Sequence, residues 1–109
     1  MSTEVQHQSD RNRYVIFLDG EEVGEATYTP KGDVWVFDHT FVNPVHQGKN
    51  LAAILVRESF EDIRANQHVK VEPTCSYVVR YMEKHQETHD LLAISIEDAV
   101  ASCKLPPRN

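Results

Sequence analysis

The hydrophobic period of the chain first changes between Val42 and Leu51, and that change most constrains what the chain can fold into. Before it, apolar residues come in short β-branched and aromatic runs. These are Tyr14-Val15-Ile16-Phe17, then Val23, Ala26 and Tyr28 among polar neighbours, then Val34 to Val42. In the last run Val34, Val36 and Phe41 interleave with Trp35, Phe37 and His39. Such runs suit strands. Asp19-Gly20 and Lys31-Gly32-Asp33 supply turns between them, so a three-stranded antiparallel meander is expected. After the change, Leu51, Ile54, Leu55, Ser59, Ile63 and, nearer the edge, Phe60 recur at three and four residues, as in a helix packed along one face.

The rest of the chain follows the same logic. His68 to Val71 reads as a short strand stopped by Pro73, and Thr74 can cap a helix from Cys75 to His85. Its inward stripe would be Tyr77, Val78, Tyr81 and Met82. A polar break, His85 to Asp90, precedes Ser95-Ile96-Glu97-Asp98, a capping box with Asp in place of Glu. A closing helix carrying Ile96, Ala99, Val100 and Cys103 is expected there; its apolar face either covers its own core or docks a partner, such as a second copy in a homodimer. The fold class is α+β, a β-β-β-α-β-α core with an extra C-terminal helix.

A length of 109 residues suffices for one core and not for two. Residues 1–12 are polar and are expected as a loose tail, 13–86 as the domain, and 87–109 as the closing helix and tail. A formal charge of −6 argues against nucleic acid or an anionic membrane as the main partner, and leaves room for a cationic amine. No run approaches the roughly 20 apolar residues of a membrane helix, and the opening residues lack the apolar region of a signal peptide. Cys75 and Cys103 form no metal-type spacing. The cytoplasm is the expected address.

The stretch at the change of period, Asn43-Pro44-Val45-His46-Gln47-Gly48-Lys49-Asn50-Leu51-Ala52-Ala53, joins the last meander strand to the helix. A helix start leaves backbone N–H groups without intrahelical partners, and its dipole favours negative charge there. Gly48, Asn50, Ala52 and Ala53 would let those groups approach a phosphate, and Lys49 adds a positive charge. Asn tolerates positive φ better than most residues. Taken alone, the pattern also describes an ordinary strand-to-helix turn.

Gln47-Gly48-Lys49-Asn50-Leu51-Ala52 resembles the Q/R-x-x-G-x-G/A pyrophosphate loop of the GNAT superfamily of N-acetyltransferases. His39-Thr40, Val42-Asn43-Pro44 leading to Gln47-Gly48, and Pro73-Thr74-Cys75-Ser76-Tyr77-Val78 resemble, in that order, the short YjdJ-type branch. The likeness covers about residues 13 to 85. Asn50 stands where the family usually has glycine, the proline and aromatic residue usual after the second helix are missing, and the last helix has no counterpart. The resemblance implies a GNAT-like acyl-coenzyme A-binding fold and transfer of an acetyl group from acetyl-CoA to a small-molecule or protein amine. Its alternative is a domain that only holds coenzyme A, or only docks a partner.

On that resemblance, the pyrophosphate would be bound by Gln47, Gly48, Lys49, Asn50, Leu51, Ala52 and Ala53, and the acyl oxyanion by backbone near Phe41 and Val42. His39 is the candidate base, since histidine titrates near neutrality; a strand histidine bonded to a neighbour is the plainer reading. Cys75, expected in the first turn of the second helix, is the candidate nucleophile, because a helix start favours thiolate; a small packing residue is the alternative. Tyr77 would protonate the departing thiolate or fill the core. Arg80 and Lys84 would meet the nucleotide phosphate or simply be solvated. His85 and His89 lack a third partner for a metal, so none is expected.

Overall fold

The computed structural model describes residues 2–46 and 48–103, with side chains through Ala101. Its first element is a strand, β1 (Thr3–Gln8), where the sequence suggested a loose tail. β1 pairs antiparallel with β2 (Arg13–Leu18) along its whole length, from Thr3 opposite Leu18 to Gln8 opposite Arg13. Only Val5 is plainly apolar in β1, so periodicity gave no signal. The backbone ladder and the ring of His7, stacked on Tyr14 at 4.3 Å, hold it instead.

Asp19 and Gly20 both take positive φ, 51° and 88°, as a tight hairpin turn requires. The turn feeds β3 (Glu21–Lys31), antiparallel to β2, and Gly32 at φ 63° turns the chain into β4 (Val34–Val42), antiparallel to β3. The expected meander is present, with β3 running past Pro30 close to the hairpin. β5 (Lys70–Pro73) begins two residues later than His68 and joins β4 in parallel, giving a sheet in chain order from β1 to β5.

Between β4 and β5 the helix α1 (Leu51–Asp62) crosses one face of the sheet. Leu51, Leu55, Ser59, Phe60 and Ile63 are buried as the periodicity predicts, and Val56 joins them. Ile54 is only half-buried. Tyr14, Ile16, Ala26, Tyr28 and Phe37 rise from the sheet to meet this face, and Phe37 meets Phe60 edge-on at 5.7 Å. Ser59 is fully buried and satisfies its hydroxyl by donating to the Leu55 carbonyl at 2.7 Å. A wide π-type turn, Ile63–Gln67, ends the helix, and His68 at φ 55° releases the chain into β5.

α2 (Ser76–Lys84) follows, with Cys75 rather than Thr74 in the N-cap position. The Thr74 and Cys75 N–H groups both donate to the Phe37 carbonyl, at 2.9 and 3.0 Å. α2 buries Val78, Val79, Tyr81 and Met82; Tyr77, expected in that stripe, is instead 37% exposed. The polar segment after it winds into 3-10 turns over Gln86–Leu91, with Leu91 in the core. α3 (Ile96–Cys103) then packs on α2, and Ser95 Oγ accepts from the Asp98 N–H at 3.2 Å as the capping box implies. The expected packing of Cys103 lies outside the described side chains. Among the described residues, no helix is long and apolar enough to cross a membrane.

Candidate functional site

The site begins with a slip of register. Tyr28 on β3 faces Phe37, but the preceding Thr27 faces His39, so Asp38 is an extra residue in β4. Such a bulge bends the strand and disturbs its alternation. Thr40, opposite the buried Ala26, therefore returns to the helix side with Phe37. His39 and Phe41 turn to the other face, where they pair with Thr27 and Glu25.

β4 and β5 also part here. Their pairing ends at Phe37 opposite Pro73, and β4 runs on to Val42 without β5 beside it. Asn43 N–H still donates to the Val23 carbonyl at 2.8 Å on the β3 side. Peptide groups alternate in direction along a strand, so those of Thr40 and Val42 face away from β3, into the gap. Both are half-buried.

The opposite wall of the gap is the start of α1. Pro44–His46 forms a single 3-10 turn, in which Val45 N–H donates to Asn43 Oδ1 at 3.0 Å. Gly48 then takes φ 89° and Asn50 φ 60°, both in the left-handed region. Asn50 thus tolerates the backbone conformation that glycine would otherwise supply there, which accounts physically for the departure from the family loop. Ile54 N–H bonds to the Asn50 carbonyl at 3.2 Å, so the amides of Leu51, Ala52 and Ala53 lie ahead of the helical ladder. Among the described residues no side chain caps them.

Strand and helix start enclose an open cleft of about 440 Å³ lined by Thr40, Phe41, Val42, Pro44, His46, Gly48, Asn50, Leu51, Ala52, Ala53 and Tyr77. Tyr77 borders it from α2, partly exposed, and Phe41, 48% exposed, borders it from β4. Burial pushes the Tyr77 phenol above its ordinary value, so it stays protonated and able to donate.

A family model for the GCN5-related N-acetyl-transferase matches residues 13–91. The chain belongs to that family. Its fold is similar to that of an IAA acetyltransferase from Bacillus cereus, at 13% identity, TM-score 0.56, over 76% of this chain and 75% of that one. It is also similar to an acetyltransferase of the GNAT family from Streptococcus pneumoniae, at 17% identity, TM-score 0.52, over 67% of this chain and 49% of that one. A ribosomal-protein-alanine N-acetyltransferase from Brucella melitensis biovar Abortus shares the fold at 18% identity and TM-score 0.50, over 76% and 63% of the two chains. The last two likenesses thus span about half to two thirds of their counterparts, and all three are likenesses of fold. No curated protein sequence matches.

In this member of the family, eight of the residues singled out from sequence line the cleft: Phe41, Val42, Gly48, Asn50, Leu51, Ala52, Ala53 and Tyr77. Gln47 lies outside the described residues. Lys49 is exposed on the loop, its Nζ 3.2 Å from His46 Nδ1, and is not part of the lining. Lys84 is exposed near the far end of α2, away from the cleft. His39 is 56% exposed on the opposite face of the sheet, its Nε2 4.0 Å from Glu25 Oε2. Simple alternation groups it with Phe37, and the bulge at Asp38 reverses that.

Cys75 is half-buried at the N-cap of α2 and touches the cleft through Thr40: its thiol donates to Thr40 Oγ1 at 3.6 Å. Thr40, Pro44 and His46 are lining residues to which sequence reasoning gave no role. All three stood in the stretches it quoted, Thr40 beside His39 and Pro44 and His46 in the loop before the helix. His85 and His89 turn to separate partners, Glu87 at 3.0 Å and the Met82 carbonyl at 2.7 Å. Among the described residues no three His, Cys, Asp or Glu side chains gather as metal ligands would.

Proposed function

We propose that this chain is an acetyl-CoA-dependent N-acetyltransferase that passes an acetyl group to an amine. The observation that carries the reading is the start of α1, capped by no side chain among the described residues, facing the free edge of β4 across one cleft. In this reading the coenzyme A diphosphate sits on the amides of Leu51, Ala52 and Ala53, where helix dipole and exposed donors both favour anions. Gly48 and Asn50 keep the loop backbone close, and Gln47 and Lys49 flank it. The pantetheine arm lies along β4, pairing with the peptide groups of Thr40 and Val42. This brings the thioester to the Thr40 and Cys75 end.

In direct transfer, the amine nitrogen attacks the acetyl carbonyl carbon and a β4 amide steadies the oxyanion. The carbon–sulfur bond then breaks, coenzyme A leaves as thiolate and takes a proton, and a base removes the proton lost by the amine. Tyr77 is the proton donor in this reading. His39, backed by Glu25, is the base when the acceptor arrives across the open face of the sheet. In the covalent variant, Cys75 thiolate attacks the thioester and expels coenzyme A thiolate; the amine then attacks the acetyl-cysteine and restores the thiol. The reaction is assigned to the cytoplasm.

The test is release of free coenzyme A thiol from acetyl-CoA across a panel of small amines and basic peptides. Amine-dependent release above the hydrolysis background is expected. Its absence, with binding of coenzyme A intact, would leave a binding module. Intact mass after acetyl-CoA incubation separates the two paths: an adduct of one acetyl group in the wild type, lost in Cys75→Ala, marks the covalent one.

A further inference from the structure

We propose that Thr40 is a positioning residue for Cys75: its hydroxyl holds the sulfur against the cleft lining and donates to it once the thiol has lost its proton. The inference deepens the acetyl-transfer reading above and rests on Cys75 belonging to that site.

Three features converge on the pair. The backbone of Cys75 is fixed from both sides, since its N–H donates to the Phe37 carbonyl at 3.0 Å and its carbonyl accepts from Val79 N–H at 3.0 Å. Cys75 is the N-cap residue of α2, yet its side chain makes no capping bond to the helix amides. The sulfur is turned across to β4 instead, where the hydroxyl of Thr40 lies 3.6 Å away. That hydroxyl reaches this position only because the bulge at Asp38 returns Thr40 to the helix side of the sheet. Thr40 also lines the cleft, whereas the sulfur meets the cleft through it.

A hydroxyl is both donor and acceptor, so it can follow the sulfur through ionisation. It accepts from the thiol, as found, and by rotating its own proton it donates to the thiolate. A hydrogen bond to the charged form favours that form. A methyl group in the same place cannot do this and would face the thiolate with apolar surface. Thr40→Val keeps the shape and removes the hydroxyl; Thr40→Ser keeps the hydroxyl and removes the methyl.

The test is the rate of alkylation by iodoacetamide, read across pH in a Cys103→Ser background so that Cys75 is the only thiol. Thr40→Val is expected to slow alkylation at pH 7 by about tenfold, the scale of a hydrogen bond to a charged group. Its rate should converge on that of the parent at high pH, where the thiol is ionised in both. Thr40→Ser should stay within about twofold of the parent. Alkylation of Thr40→Val at the parent rate, or a slowing that persists unchanged at high pH, overturns the proposal. Should Thr40→Val melt early, Thr40→Ala against Thr40→Ser gives the same comparison. The measurement uses no cofactor, so failure of coenzyme A to bind would overturn the function and leave this result standing.

Discussion

Asn50 is the residue on which the loop opening α1 turns. Its φ of 60° places a non-glycine side chain in the left-handed region, where asparagine is tolerated and β-branched residues are not. Asn50→Gly should therefore leave coenzyme A affinity within about twofold. Asn50→Val should cost about 1–2 kcal/mol in stability and weaken coenzyme A binding about tenfold or more, as read by calorimetric titration. Gly48 at φ 89° follows the same rule, though a methyl group added there would meet no neighbour, so any penalty from Gly48→Ala is backbone strain alone. This much was legible from the residue types. The side of the sheet on which His39 and Thr40 lie was not, because one extra residue in a strand leaves no mark in a list of apolar positions.

Elements succeed or fail by their patterns. α1 announced itself through its period, and the two tight turns through Asp19-Gly20 and Gly32. β1 gave no such warning, since alternate residues Glu4 and Gln6 face water and one inward position is His7. That histidine explains how so polar a strand stays down. Its Nε2 lies 2.7 Å from the Tyr28 hydroxyl, its Nδ1 3.7 Å from Asp62 and 3.5 Å from Gln67 Nε2, and Trp35 closes the ring of aromatics at 5.5 Å. Tyr14 donates to the same Asp62 carboxylate at 2.6 Å. Burial pushes His7 below its usual value against the pull of Asp62, and pushes the Tyr14 phenol far up. Burial also raises the Asp62 carboxyl, but bonds from Tyr14, Asn66 and Gln67, with the His7 charge, outweigh it and hold it below the usual range.

The signs give two steps of acid sensitivity. A histidine held neutral when folded takes its proton more readily when unfolded, so stability should begin to fall as pH drops below about 6.5. Asp62, depressed when folded, stabilises above the usual carboxylate range, and its share is lost as pH falls through its lowered value. Melting temperature measured from pH 8 to pH 3 should show both steps, and His7→Phe should remove the upper one. A flat profile between pH 7 and pH 5 in the wild type would contradict this account of β1.

At the scale of the whole molecule, a single sheet with its last two strands parted carries the cleft, and everything else supports that parting. The bulge bends β4, Pro73 closes the pairing with β5, and the start of α1 fills the gap's other side. Sequence placed the loop and helix of this arrangement correctly because both are local. The cleft itself depends on where β4 and β5 separate, a long-range fact that local patterns do not hold. A ligand bridging strand and helix should stabilise the whole fold: acetyl-CoA at ten times its Kd would add about 1.4 kcal/mol, raising Tm by about 5–10 °C in a domain of this size.

The claim beneath all of this is that the amides opening α1 grip the diphosphate of coenzyme A. Titration of isotope-labelled protein with coenzyme A, followed by amide proton and nitrogen shifts, reads those groups one by one. Saturable shifts should appear first and largest at Gly48 and from Asn50 to Ala53, with smaller ones at Thr40 and Val42. If coenzyme A at millimolar concentration leaves the Leu51, Ala52 and Ala53 amides unmoved, the diphosphate does not sit there and the reading is wrong.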